Sequence, residues 1–391
     1  MLVPLEFLWL PALCVAIFGA WVLVRVMKTG RVLALSLASL KVVIPLLYFA
    51  FFYRSGWTLL DDLSYFEKAH LLLLKGNNPF LILFTQDGRE RLFAIAGGRH
   101  ILYYWWNLLA VYLFHPFYSS PVFLNVGTTF ISAALLFRIA RLSGVSESYA
   151  KWLGIFFLVQ WDVVAWSSFV NLKDILVLMM VLGAVYMGLK LQEKRNFLYA
   201  LGLTTILLAF YWIRVYAVVL ILVSFAAWIA LAVKGPKKVI WLAIATVGGI
   251  LAFPAGGYQL FQEHAKGDWI YGPIRMALTP QPWSIEPEYS FLLIPSLLHW
   301  CFFLPCLAAG ASLWRKNLVF RLAAIFALVS FIFYGQTPEL HGPRQRVMVA
   351  WVFAWLEFHV LWLLSSPIME RRSPAVRLST EGRRSLVANR V

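Results

Sequence analysis

Four short groups of ionisable residues mark this sequence, because each lies beside a long apolar run where charge is costly. The groups are Asp61-Asp62, Lys173-Asp174, Arg214 and Arg344-x-Arg346. Carboxylates bind hard cations and accept protons, whereas guanidinium and ammonium groups bind phosphate. Together they predict a site that holds an anionic phosphate group next to a carboxylate.

The acidic pair has two interpretations. Asp61 and Asp62 can bind a divalent cation, Mg²⁺ or Mn²⁺, or one of them can act as general base for an incoming hydroxyl group. They can equally be a solvated pair at the N-terminus of a helix, where carboxylates are favoured. Of the two, we favour Asp61 as the catalytic residue.

Lys173 and Arg214 are predicted to bind an anionic phosphate group of a lipid-linked substrate. A charged residue at the centre of a bilayer costs about 2.5–3.5 kcal/mol, so its retention calls for a reason. The alternatives are an ion pair of Lys173 with a neighbouring carboxylate, Asp162 or Asp174, and an Arg214 side chain that reaches the lipid headgroups.

Arg344 and Arg346 precede the last apolar run and are predicted to bind the same phosphate; the alternative is a structural pair with Glu339. Trp283 could stack on a sugar ring or belong to an aromatic belt at the membrane surface. The residues predicted to contact the rest of the substrate are Asp174, Tyr216, Trp283 and His341.

The elements that position these residues are predicted to be membrane helices. Hydrophobic residues make up 61% of the 391 residues, charged residues 13%, and the mean hydropathy is +0.76. Repeated runs of about 20 apolar residues predict an all-α, polytopic transmembrane bundle. The net charge of +16 lies mainly in short links and the tail, which follows the positive-inside rule and does not indicate nucleic-acid binding.

About eleven spans are expected, at 8–26, 33–53, 120–138, 150–168, 173–190, 197–213, 215–233, 238–254, 290–313, 318–335 and 347–365. The helical domain covers 1–369, with a large outer loop at 54–118 that contains interfacial helices, and a basic, disordered cytoplasmic tail at 370–391. Five basic clusters predict an N-terminus outside and a C-terminus in the cytoplasm, and a bacterial inner (plasma) membrane suits the chain.

In the order of these features the chain resembles the GT-C class of membrane glycosyltransferases and related bacterial surface-polysaccharide proteins. The matching stretches are Asp61-Asp62, Leu124-Asn125, Trp166 with Asn171-Leu172-Lys173-Asp174, Arg214-x-Tyr216, Pro280-x-Pro282-Trp283 and Arg344-x-Arg346. The sequence departs from the class in an extra helix before the loop-bearing span and in having no large soluble outer domain after the bundle.

The resemblance implies an inverting transferase that moves a sugar from a polyprenyl-phosphate donor to a glycan, lipid or protein acceptor on the outer face. It also implies that Asp61 or Asp62 is the base or a metal ligand, and that the phosphate predicted to bind Lys173 and Arg214 is the donor phosphate. Two alternatives stay open: a polysaccharide polymerase or ligase that relies on Arg residues, and a lipid or solute transporter. The oligomeric state is not predicted.

Overall fold

The computed structural model describes residues 3–54, 59–98, 100–194, 196–232, 239, 269–336 and 342–372. Within these residues the chain is 83% helical and has no strand, which confirms the predicted all-α class. In the part of the chain that the structure describes, seven helices are long and apolar enough to cross a membrane, by length and composition, and they fit an integral membrane protein.

The helices are named here in chain order. They are α1 (Leu5–Arg25), α2 (Arg31–Leu47), α3 (Leu60–Leu74), α4 (Gln86–Ala96), α5 (Ile101–Phe114), α6 (Ser119–Leu142), α7 (Glu147–Val159), α8 (Trp161–Ser168), α9 (Asp174–Glu193), α10 (Phe197–Tyr211), α11 (Val215–Ala232), α12 (Tyr271–Leu278), α13 (Leu293–Lys316), α14 (Leu318–Gln336) and α15 (Ala350–Arg372). A π-turn extends α2, and 3₁₀ turns at Pro287–Leu292 and Pro343–Val349 precede α13 and α15.

The seven long apolar helices are α1, α2 with its extension, α6, α9, α13, α14 and α15. The break predicted between 197–213 and 215–233 is confirmed, because α10 ends at Tyr211 and α11 begins at Val215. Both are shorter apolar helices. Nearly all of the predicted span 238–254 and of the tail lies outside the described residues, although α15 continues to Arg372.

The expected span 150–168 is not one helix. It is interrupted at Gln160, which has extended backbone angles (φ −61°, ψ 131°), and this separates α7 from α8. The Gln160 side chain accepts a hydrogen bond from Val163 N at 2.9 Å and so caps α8. A glutamine used as an N-cap explains why neither Gly nor Pro marked the break.

The helices at the centre of the bundle are α6 and α9, which pack on each other and are the most deeply buried long helices. Their C-terminal ends lie together, since the Arg138 guanidinium lies 5.8 Å from the Tyr186 ring. The start of α14 is at the same end, where Asn317 donates to Ser143 Oγ at 3.0 Å. Three of the five basic clusters predicted from the sequence, which contain Arg138, Lys190 and Arg315 near the ends of α6, α9 and α13, therefore share one end of the bundle.

The opposite end is formed by the start of α9, the turn between α10 and α11, the 3₁₀ turn before α15, and α3. The helices α3 and α5 pack on each other there, and α5 also packs on α6. The described residues of the predicted loop 54–118 thus form three helices, α3, α4 and α5, and α3 carries the acidic pair in its first turn.

Candidate functional site

The centre of the candidate site is the Asp174 carboxylate, at the first residue of α9. Nη2 of Arg214 lies 2.5 Å from its Oδ1, as an ion pair without an aligned hydrogen bond, and Nε of Arg344 donates to its Oδ2 at 2.9 Å. The Asp174 and Arg214 side chains are buried. A carboxylate at a helix N-terminus is favoured by the helix dipole, and the two cations offset the cost of burying it.

Arg344 joins this centre to the acidic pair of α3. Its Nη1 donates to Asp61 Oδ2 at 2.7 Å, while its Nε is bonded to Asp174. The Asp61 side chain is 57% exposed, so this carboxylate lies at the mouth of the site. Burial acts to raise the pKa of Asp61, but the hydrogen bond and charge of Arg344, together with Lys173, hold that pKa below its usual value. Asp61 is therefore ionised at neutral pH.

Lys173 is the third cation of the cluster, and it is 4% exposed. Its Nζ donates to Tyr65 Oη at 2.7 Å and lies 5.2 Å from the centre of the Tyr65 ring. Burial lowers the pKa of Lys173 well below 10.5, and the nearby Arg344 and Arg214 lower it further. The ammonium group thus has a hydroxyl partner rather than a carboxylate bonded to it.

Asp62 points away from Asp61 and is fully buried. Tyr118 donates a short hydrogen bond to Asp62 Oδ2, and the Leu63 N–H donates to Oδ1 at 2.6 Å. Burial raises the pKa of Asp62 to about 6, although these hydrogen bonds oppose the shift. The carboxylates of Asp61 and Asp62 therefore have different partners. Within the described part of the chain, no three His, Cys, Asp or Glu side chains converge as metal ligands.

A buried amide network holds the acidic helix against the start of α9. Asn171 donates from its side chain to the Asp62 carbonyl at 3.1 Å and to Asn107 Oδ1 at 2.6 Å. The Tyr103 hydroxyl donates to Asn171 Oδ1 at 2.7 Å and accepts from Asn125 at 3.0 Å. Because these buried polar groups have partners, the network fixes α3, α5 and α6 around Lys173 and Asp174.

The turn that carries Arg214 is fastened to the start of α5. His100 Nδ1 lies 2.8 Å from the Ile213 carbonyl oxygen, and the Leu102 N–H donates to the Trp212 carbonyl at 3.2 Å. Burial, with a further contribution from Lys173, lowers the pKa of His100 to about 4. The imidazole is therefore neutral at physiological pH, and its N–H can donate to the Ile213 carbonyl.

The Arg346 side chain does not enter this cluster. Its Nη2 donates to Asp162 Oδ1 at 2.8 Å, and both side chains are buried. On the 3₁₀ turn Pro343–Val349, Arg344 and Arg346 point to different carboxylates, so the phosphate-binding role predicted for Arg346 has no direct geometric support. The alternative partner, Glu339, is outside the described residues.

The other predicted substrate contacts are distributed differently. The Tyr216 ring lies 5.6 Å from the Arg214 guanidinium, so it is at the site. Trp283 is 68% exposed, and its ring lies 4.8 Å from that of Trp300; within the described residues no contact joins it to the Asp174 cluster. His341 is outside the described residues.

Sequence reasoning missed Tyr65 and Tyr118 as site residues. Tyr65 lies one helical turn after Asp61, a spacing that places both on one face of α3, and this signal could have identified it. Tyr118 is 56 residues from Asp62, and no local spacing marks that pairing.

The cluster has an excess of positive charge and unused hydrogen-bond donors. Three cations, Lys173, Arg214 and Arg344, surround the Asp61 and Asp174 carboxylates. Nε and Nη1 of Arg214 have no hydrogen-bond partner among the described residues. Buried donors without partners are costly, so an anion that accepted from them would be bound favourably.

No family model, curated protein or solved structure matches this chain.

Proposed function

We propose that this protein is a membrane glycosyltransferase that moves a sugar from a polyprenyl-phosphate-linked donor to a hydroxyl group of a glycan, lipid or protein acceptor. The observation that supports it best is the cluster in which Arg344 bridges Asp174 to the exposed Asp61, with Lys173 and Arg214 beside it. A cationic site next to an accessible carboxylate matches the needs of transfer from a phosphate leaving group.

The cations act on the leaving group. The acceptor oxygen forms a bond to C1 of the sugar, the bond between C1 and the phosphate oxygen breaks, and the electron pair stays on the phosphate. Negative charge grows on that oxygen in the transition state. Fixed cations such as Arg344 and Lys173 stabilise it more than the ground state, and this difference accelerates the reaction.

Asp61 takes the proton of the acceptor hydroxyl. Since its pKa is below the usual value, the carboxylate is a weak base and accepts the proton late, when the acceptor oxygen has become acidic by bonding to C1. Asp62 is buried behind it, bonded to Tyr118, and we assign it a structural role.

Binding is tested with purified protein and polyprenyl phosphate as the probe. Arg344→Gln is expected to weaken binding at least about 10-fold, since one charge-assisted contact contributes about 1.5–3 kcal/mol. Arg89→Gln on α4 is the matched control, because it removes the same charge from an exposed position that has no contact with the Asp174 cluster among the described residues. Equal affinities for the two variants would contradict the proposal.

Transfer is tested with a labelled polyprenyl-phosphate hexose. Asp61→Asn is expected to lower the transfer rate about 10²–10⁴-fold, the usual contribution of a general base. Asp62→Asn, with folding verified, is expected to retain transfer. A variant of Asp61 that turns over at the wild-type rate would contradict the assignment.

The proposal places the site end of the bundle at the outer face of a bacterial inner membrane. The end that carries Arg138, Lys190 and Arg315 then faces the cytoplasm, in keeping with the positive-inside rule. The N-terminus is outside and the C-terminus inside, with about eleven spans. Cysteine-accessibility labelling at Arg89 and Lys190, which lie at exposed and partly exposed positions, tests this orientation.

One observation favours the polymerase or ligase alternative. Arg344 already neutralises Asp61, and Asp62 is turned away, so a Mg²⁺ or Mn²⁺ ion held by both carboxylates would require rearrangement. Loss of activity in Arg344→Gln but not in Asp61→Asn, with no effect of a chelator, would favour that alternative.

A further inference from the structure

A second buried group of ionisable residues lies inside the bundle, outside the proposed transfer site. Its ionisable members are Asp162, Arg346 and Glu357, and the neutral side chain of Gln160 lies among them; all four residues are buried. Glu357 is the eighth residue of α15, about 10 Å along this helix from its first residue. Ionisable residues at such positions are functional candidates, because they are expensive to retain.

Arg346 forms an ion pair with Asp162, whereas one carboxyl oxygen of Glu357 has no partner among the described residues. Arg346 is bonded to Asp162 Oδ1 at 2.8 Å, and Gln160 Nε2 donates both to Asp162 Oδ2 at 3.3 Å and to Glu357 Oε2 at 3.2 Å. Glu357 Oε1 has no hydrogen-bond partner among the described residues, and neither has Nη1 of Arg346. The group thus holds one cation and two carboxyl groups.

Charge balance indicates which carboxyl group is neutral. Asp162 has the guanidinium as direct partner, whereas the only described hydrogen bond of Glu357 comes from a neutral amide. An ionised Glu357 would leave one uncompensated negative charge at 0% exposure, which is prohibitively costly in a low-dielectric interior. A proton on Glu357 removes that charge.

The surroundings provide no other compensating cation within the described residues. The Cys306 thiol of α13 is within electrostatic range of Glu357, and His299 of the same helix, which lies near Arg346, has its Nε2 2.7 Å from the Ala277 carbonyl oxygen. Further along α15, His359 Nδ1 lies 3.0 Å from the Tyr149 hydroxyl. None of these groups is bonded to the Glu357 carboxyl.

We propose that Glu357 is an intramembrane proton-binding site: it holds a proton at neutral pH, while Asp162 in the same group stays ionised and bound to Arg346. The ligand is the proton itself. Loss of the proton would create a negative charge within electrostatic range of the Arg346 guanidinium, whose Nη1 has no hydrogen-bond partner among the described residues, so the occupancy of this site bears on the turn that also carries Arg344.

The proton is detected directly by infrared difference spectroscopy. The wild-type spectrum minus that of Glu357→Gln is expected to contain the C=O stretching band of a protonated carboxyl group at pH 7, and the wild type minus Asp162→Asn is expected to contain carboxylate bands only. A carboxylate band for Glu357 at pH 7 would overturn the proposal.

A second measurement does not depend on how a variant folds. A hydrophobic carbodiimide reacts with protonated carboxyl groups in membranes, so wild-type protein treated at pH 7 is expected to carry the label on Glu357. The matched internal control is Asp162, which is expected to remain unlabelled. Mass spectrometry that locates the label on Asp162 and not on Glu357 would refute the assignment.

Discussion

Replacing Asp174 by asparagine tests whether this carboxylate holds the candidate site together. Breaking a buried ion pair by removing one partner costs about 3–5 kcal/mol. Arg214 loses its only described carboxylate partner, 2.5 Å away, whereas Arg344 keeps Asp61 at 2.7 Å. The loss of one of the two carboxylate partners of Arg344 therefore adds only about 1 kcal/mol. We expect Asp174→Asn to lower the free energy of unfolding by about 4–6 kcal/mol in total.

A double-mutant cycle isolates the ion pair from other effects of the substitution. Arg214→Met leaves Asp174 with Arg344 and is expected to cost about 3 kcal/mol. The double variant removes both charges, so its cost should be smaller than the sum of the single costs by about 2–3 kcal/mol. The free energies are measured by reversible unfolding in mixed micelles, followed by circular dichroism.

The control is the exposed pair of Lys190 and Glu193, whose charged atoms lie 2.6 Å apart at the other end of α9. Glu193→Gln breaks an ion pair of similar length, but solvent screens it, so the expected cost is below about 0.5 kcal/mol. If Asp174→Asn cost no more than this control, or if the Asp174 and Arg214 substitutions were additive within about 0.5 kcal/mol, the buried ion pair would be refuted as the organising contact.

Three further predictions address neighbouring residues. The pKa of Asp62 is raised from 3.8 to about 6, so the folded state binds a proton on the Asp62 carboxyl group more tightly than the unfolded state does. The stabilising effect of this protonation is complete below about pH 4 and is lost as the pH rises through 6. Asp62→Asn should therefore be more stable than the wild type above pH 6, by up to about 3 kcal/mol, and this difference should vanish near pH 4 in thermal unfolding. A bound phosphate would stabilise the ammonium form of Lys173, whose pKa is lowered by burial, so polyprenyl-phosphate affinity should fall as the pH rises above the range in which the phosphate becomes a dianion; Lys173→Met should bind weakly and without this pH dependence, and an unchanged pH dependence in the variant would contradict the mechanism. Gly335→Ala would place a Cβ 2.5 Å from the Gly272 carbonyl carbon where α14 crosses α12, and should cost about 1–3 kcal/mol, whereas Gly310→Ala on α13, which meets only Leu356 at 3.4 Å, should not destabilise the fold.

The sequence was sufficient to predict the helical class and several helix ends, because apolar length and charge position are local properties. The break at Trp212–Arg214 is an example, since a run of 37 apolar residues exceeds one span and its single Arg stood near the middle. The break at Gln160 was not predictable in this way. It depends on a side-chain amide that bonds to Val163 N and to Glu357, which is 197 residues away.

The candidate site was predictable only as a set of residue types on one end of the bundle. Asp61, Lys173, Arg214 and Arg344 do meet, as their common placement beside apolar runs indicated. Their pairing was not foreseen: Asp174 was predicted to contact substrate, yet it is the shared counter-ion of two arginines. Which carboxylate a cation contacts depends on side-chain direction across separate helices, and a sequence pattern does not specify that.

The acidic pair illustrates the same limit within one helical turn. Asp61 and Asp62 are adjacent in sequence, but successive helical residues point about 100° apart, so one carboxylate reaches the exposed mouth and the other the buried Tyr118 hydroxyl. The interpretation as a solvated pair is wrong for Asp62, which is fully buried, whereas the catalytic or metal-binding interpretation stays a prediction for Asp61. Asp61 has the exposure that chemistry requires, and Asp62 has the buried hydrogen bonds of a structural residue.

The 3₁₀ turn Pro343–Val349 connects the two buried clusters of the bundle. Arg344 on one face holds Asp174 and Asp61, and Arg346 on the other holds Asp162, so a movement of this turn that changes the partner of one arginine also displaces the other. A phosphate that displaced Arg344 from Asp61 by moving this turn would therefore displace Arg346 as well. Loss of the proton from Glu357 would, through Arg346 and the same turn, change the position of Arg344. By linkage these two effects are equal, so any preference of the polyprenyl phosphate for one protonation state of Glu357 must appear as a matching shift in proton affinity.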